Sequence, residues 1–220
     1  MLIPSREVAL ERFEPKSRII AAGVILLTLL VSTAVAQNHY QGPTPVTAYT
    51  PTFNVSGGYS FLSSQIPSAG RANLYGVEAS ARADFLPHWG VMLDAGYVRA
   101  SNVLNTGHPS YTMTFMGGPV FYPIPHGRTR PFLHALAGAG LVDSAVPVNG
   151  TTYVHGYVER PAYAFGGGIE HYFLGPFGVR FTGDYLRTAY ADANAKVSAQ
   201  NNLRATGSLV FRMGHPGRRE

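Results

Sequence analysis

The sequence predicts an all-β chain, an eight-stranded antiparallel up-and-down transmembrane β-barrel preceded by a signal peptide. Three observations carry that reading. Apolar and polar residues alternate with period two over much of residues 53–214, and successive side chains of a strand point to opposite faces. Charged residues make up 13 % of the chain and aromatics 12 %, whereas an average soluble domain is about 25 % charged. The connections between alternating segments are short and long in turn, the pattern of a membrane barrel with tight turns at one end and longer loops at the other.

Before the barrel, Ile19–Val31 is an apolar run with Arg12, Lys16 and Arg18 ahead of it and Ala34-Val35-Ala36 behind it. Basic n-region, short h-region and A-x-A site define a secretory signal. The run is too short to cross about 30 Å of hydrocarbon as a helix, so residues 1–36 read as a cleaved leader. Residues 37–52, rich in Pro, Thr and Gln, read as a flexible periplasmic lead-in.

Eight strands follow over 53–214. Phe53–Leu62 sets Val55, Tyr59 and Phe61 against Asn54, Ser56 and Ser60. Leu74–Phe85 sets Tyr75, Val77 and Ala79 against Glu78, Ser80 and Arg82, and Trp89–Ala100 sets Val91, Leu93 and Tyr97 against Asp94. Ser110–Tyr122 alternates Tyr111, Met113 and Phe115 with Thr112 and Thr114. Pro131–Val142 and Ala162–Phe173 alternate less cleanly, the second blurred by Gly166–Gly168. Phe177–Tyr190 and Asn202–Gly214 alternate clearly, the last with Leu203, Ala205, Leu209 and Phe211 on one face and Arg204, Thr206 and Arg212 on the other. The tight connections are Leu86–His88 and Leu174–Pro176, with a modest one at Pro123–Thr129; the long ones are Ser63–Asn73, Asn102–Pro109, Asp143–Pro161 and Ala191–Asn201. Residues 215–220 form a short tail. A secreted β-sandwich also alternates, but it would not back its aromatic face with Glu78, Arg82, Asp94, Asp184 and Arg204. Aromatics crowd the strand ends, as the interfacial girdles of an outer-membrane barrel require.

Composition narrows the chemistry. There is no Cys, which excludes disulfide scaffolds, thiolate zinc sites and Cys nucleophiles. The net charge is +5, or +4 once residues 1–36 are removed. For an exported chain that points to a negatively charged lipid or glycolipid surface and away from nucleic acid. His108-Pro109-Ser110 is a loop segment with Pro between its polar residues, not a triad. The eight His are scattered without metal-ligand spacing. Gly166–Gly168 lacks the Lys and Ser/Thr of a phosphate loop. No catalytic, cofactor or metal site is expected.

Parity places Glu78, Asp84, Asp94, Glu170 and Asp184 in the lumen with Arg82, Arg180, Arg204 and Arg212. A conducting pore favours a ring of one sign; this near-balanced set suits paired ions that plug the lumen. Asp184 and Arg204 lie on neighbouring strands. His134 and His171 are further candidates for the lumen. Arg99 and Arg187 have outward parity at external strand ends, where their guanidinium groups can meet lipopolysaccharide phosphates. The loop Asp143–Pro161, with Tyr153, His155 and Tyr157, is the expected contact surface for another molecule.

These segments resemble small eight-stranded outer-membrane barrels of the OmpA-like type. The resemblance runs through Gly58-Tyr59-Ser60-Phe61-Leu62, Arg130–Gly138, Phe165–Ile169, Val179-Arg180-Phe181 with Asp184–Arg187, and Gln200–Arg204 leading to Val210-Phe211-Arg212. It implies residence in a bacterial outer membrane and insertion by the barrel-assembly machinery, which reads an aromatic near the end of the last strand, here Phe211. The tail after it departs from the pattern. The expected role is structural or surface-interactive, with recognition in the external loops; the alternatives are a narrow porin for small solutes and a lipid-modifying enzyme.

Overall fold

A computed structural model describes residues 51–66, 70–103, 107–149, 152–191 and 197–214. The leader, nearly all of the lead-in and the tail lie outside the described residues. Eight strands form one closed antiparallel barrel in sequence order. They are β1 (Thr52–Ile66), β2 (Gly70–Asp84), β3 (Trp89–Ala100), β4 (Ser110–Phe121), β5 (Thr129–Asn149), β6 (Thr152–Leu174), β7 (Phe177–Ala191) and β8 (Val197–Met213). β1 closes on β8 through pairs running from Phe53↔Met213 to Ser63↔Leu203. The ring leaves no strand edge in the lipid, where an unpaired backbone group is costly.

Polarity is reversed relative to a soluble protein. Arg82, Arg180, Glu170 and Asn54 are among the largest fully buried side chains, while Phe165, Phe181 and Leu209 are each at least 60 % exposed. Such a surface demands hydrocarbon outside. Phe85, Trp89, Phe173, Phe177 and Phe211 ring the end with the tight turns. Tyr59, Tyr75, Tyr97, Tyr163 and Tyr185 ring the end with the loops.

The tight turns are locked by backbone bonds. Leu86 and Trp89 exchange N–H···O bonds at 3.2 and 3.3 Å. Gly175, at φ +53°, opens the two-residue turn between β6 and β7, a position where a hairpin turn needs positive φ. The walls also come very close at Gly76 and Gly138, where a Cβ would run into the carbonyl oxygens of Tyr97 and Phe115 on the next strand.

The strands outrun their apolar alternation. Ser63, Ser64 and Gln65 pair with Asn73, Ala72 and Arg71, so most of the segment read as the loop Ser63–Asn73 is ladder. β8 likewise starts at Val197, within the expected loop Ala191–Asn201. The largest correction is Asp143–Pro161, which is not a loop but a ribbon: β5 and β6 stay paired from Thr129↔His171 to Asn149↔Thr152. Backbone pairing needs no apolar residue. Pro147 and Pro161 sit where the ladder has a free side, because pairing with β4 ends at Asp143 and pairing with β7 ends at Tyr163, and Pro is tolerated at such edges. Asn102–Pro109 contains no strand among its described residues.

Gly76→Val should lower stability by about 1–3 kcal/mol through forced wall displacement, whereas the outward Ala139→Val should change it by under about 1 kcal/mol. Urea unfolding of the two variants in lipid vesicles measures the difference.

Candidate functional site in the lumen and at the loop-end rim

The inward parity of β2, β6 and β7 brings one charge network together at the turn end. Glu170 is its hub. It forms an ion pair with Arg82, whose second bond measures 2.8 Å, and accepts from Arg180 Nε at 2.7 Å and the Tyr172 hydroxyl at 3.1 Å. Asp84 pairs with Arg82 at 3.0 Å and Arg130 at 3.5 Å. It also accepts from Tyr122 and Asn54, both at 3.2 Å. The guanidinium groups are stacked as well: Arg130 lies 4.2 Å over the Tyr122 ring and Arg212 3.5 Å over Tyr172. Such stacking favours cations with exposed π faces beneath them.

A second network lies toward the middle. Arg204 donates from Nε to Asp184 at 2.8 Å and from Nη1 to Asp94 at 2.7 Å, with Glu78 at 3.4 Å. His134 Nε2 lies 2.7 Å from Asp184, and Thr206 donates to Glu78 at 2.7 Å. A hydroxyl tier joins the two networks: Arg180 Nη1 reaches Ser56 at 3.0 Å and Ser80 at 2.7 Å.

An apolar tier follows on the loop side. Leu136 and Leu186 come two residues loopward of His134 and Asp184, and Leu74 and Val98 four loopward of Glu78 and Asp94; all four belong to one buried cluster with Leu62. Side chains therefore fill the lumen, as eight strands require.

Of the nine residues expected in the lumen, Glu78, Arg82, Asp84, Asp94, Glu170, Arg180, Asp184 and Arg204 are buried there. Arg212 is half-buried at the turn-end mouth. Arg130, missing from the expected set, is also buried and makes five arginines against five acids. Its parity with Phe132 and His134 was the available signal. His134 faces inward, but His171 faces outward and bonds Thr129 Oγ1 at 2.8 Å, because the parity of Glu170 puts its neighbour on the other wall. Ser110 spends its hydroxyl on the Asp143 carbonyl at 2.8 Å. Arg99 and Arg187 are outward and exposed; Arg99 is paired in register with Tyr75 and Tyr111 and Arg187 with Tyr163 and Asn201. Phe211 is outward against Phe177, ring centroids 5.2 Å apart.

No protein-family model matches the chain, and no curated protein matches it. Solved structures do. The crystal structure of Ail, the attachment invasion locus protein of Yersinia pestis, superposes with TM-score 0.52 at 16 % identity over 74 % of this chain and 98 % of Ail. Ail in complex with the heparin analogue sucrose octasulfate gives 0.51 at 15 % over 74 % and 99 %. Neisserial surface protein A gives 0.49 at 13 % over 75 % and 97 %. With its closed ring and reversed polarity, the chain has the fold of the small eight-stranded outer-membrane β-barrels. Its surroundings are the lipids of a bacterial outer membrane.

Glu170→Ala leaves Arg82 and Arg180 without their shared carboxylate and should cost about 3–5 kcal/mol. The paired change Arg82→Met with Glu170→Leu should recover most of that loss. Urea titration in vesicles checks both.

Proposed function

We propose that this protein is a non-conducting outer-membrane barrel whose role is structural and surface-interactive, carried by its loop end. The observation that supports this most is the crossing of the lumen by two ion-pair networks backed by the apolar tier of Leu62, Leu74, Val98, Leu136 and Leu186. Arg82 on β2 and Glu170 on β6 reach each other across the barrel, so an ion passing through must break a buried pair. The β5–β6 ribbon is the best contact surface. It continues six residues beyond Asp143, roughly 20 Å of strand, and among the described residues both its edges are free. A free edge is a ready template for pairing with another chain.

The remaining assignments complete the reading. Residues 1–36 direct export, residues 37–52 lead into the barrel and 215–220 trail from it. Phe211 on β8 is the aromatic that the barrel-assembly machinery reads. Arg99 and Arg187 stand at the tyrosine girdle, at headgroup depth, and contact lipopolysaccharide phosphates there. No nucleic acid, metal or cofactor enters the account.

Single-channel recording in a planar bilayer tests it. Barrel purified from a host outer membrane, with insertion verified by heat-modifiable gel mobility, should give no discrete current steps. Reproducible steps would establish the narrow-porin alternative, with Asp94, Asp184, Arg180 and Arg204 as selectivity residues.

A further inference from the structure

The two rim arginines differ in what lies beside them. Arg99 is flanked by Tyr75 and Tyr111, and Tyr97 stacks near Tyr111 at 6.1 Å, so the surface there is tiled with large rings. Beside Arg187 the lipid-facing wall is hollowed. A groove of about 430 Å³ runs between β5 and β7, with outward Ala135 and Ala137 as its floor, Tyr163, Phe165 and Tyr185 as its walls and Arg187 at its rim.

Register explains the groove. Gly117, Ala137, Tyr163 and Arg187 form one cross-strand row, and Ala135, Phe165 and Tyr185 the row below it. Small Ala135 and Ala137 on β5 beside large Tyr163 and Phe165 on β6, with Tyr185 and Arg187 on β7, leave the hollow. The Tyr185 wall is held by a hydroxyl bond to Asn201 Oδ1 at 2.6 Å. Among the described residues no carboxylate pairs with Arg187. An apolar slot in a hydrocarbon-facing wall takes a hydrocarbon chain, and an exposed guanidinium at its polar end takes a phosphate, which its forked donors fit. The loop-end leaflet of an outer membrane supplies both groups in one molecule.

We propose that this groove is a specific lipid site that seats one acyl chain of lipid A with a lipid A phosphate on Arg187. The proposal rests on the rim-arginine reading above and narrows it to one of the two arginines.

Barrel purified from a host outer membrane is exchanged into phosphatidylcholine nanodiscs doped with bisphosphorylated lipid A, and retained lipid is counted by native mass spectrometry. Wild type should retain one lipid A. R187Q, which removes the phosphate partner, and A137F, which fills the slot, should each reduce retention at least about tenfold, as loss of a charge-assisted contact does. R99Q, which removes a rim contact but leaves the groove intact, should lower retention by less than about threefold. Heat-modifiable mobility of each variant establishes folding. Equal losses in R187Q and R99Q with A137F unaffected would overturn the groove while leaving the rim reading intact. No loss in any variant would overturn both. Equal retention of phosphatidylglycerol in wild type would overturn the assignment to lipid A.

Discussion

The structure depends on one constraint: four buried arginines and five acids must coexist inside a ring too narrow to hydrate them. An unpaired ion in such a place costs several kcal/mol, so each must find a partner of opposite sign in good geometry. Glu170 solves this by serving Arg82, Arg180 and Tyr172 at once, and Arg204 by serving Asp184, Asp94 and Glu78. These contacts join strands that are distant around the ring, so the interior ties together walls whose only other link is the backbone ladder. The ladder in turn frees the outer face between its rims to be largely apolar. Reversed polarity, aromatic girdles and a packed lumen are one arrangement seen from two sides.

The parity of the strands was legible because a period of two is local. Glu78, Arg82 and Asp84 share a face whatever β2 is paired with. The Asp184–Arg204 contact was legible too, since β7 and β8 are neighbours and the register sets the two opposite each other. Arg82 meeting Glu170 was not, because no local pattern relates strands on opposite walls. Strand ends were also hidden. Ser63–Gln65 lacks apolar alternation but pairs fully, and Asp143–Pro161 reads as a loop where a ribbon runs. Reading β5 from Pro131 left Arg130 just outside the strand, one residue short of its inward place. The inward turn of Tyr122 and Tyr172 onto the carboxylates depends on rings at strand ends finding room that only the closed barrel provides.

The ion networks occupy the inside of the ring, and the exposed features lie on its outer face and loop-end rim. The tyrosine girdle at the loop end gives an amphipathic rim suited to headgroup depth, while the phenylalanine-rich turn end gives a plainer anchor. The β5–β6 ribbon rises from this rim with its backbone unpaired on both sides among the described residues, and the hollow beside Arg187 breaks an otherwise tiled wall. These features need a rigid base, and the ion networks supply it.

Because the chain contains no Cys, a single introduced thiol can report whether water-borne reagents reach the lumen. Ser208 is buried on β8 opposite Arg180, between the two networks. The most direct measurement is the labelling rate of Ser208→Cys in folded, vesicle-inserted barrel with a small charged methanethiosulfonate, against His126→Cys in the exposed turn. A packed lumen predicts complete labelling of the turn thiol and none of the lumen thiol until the barrel is unfolded. Comparable labelling of both in the folded state would contradict it.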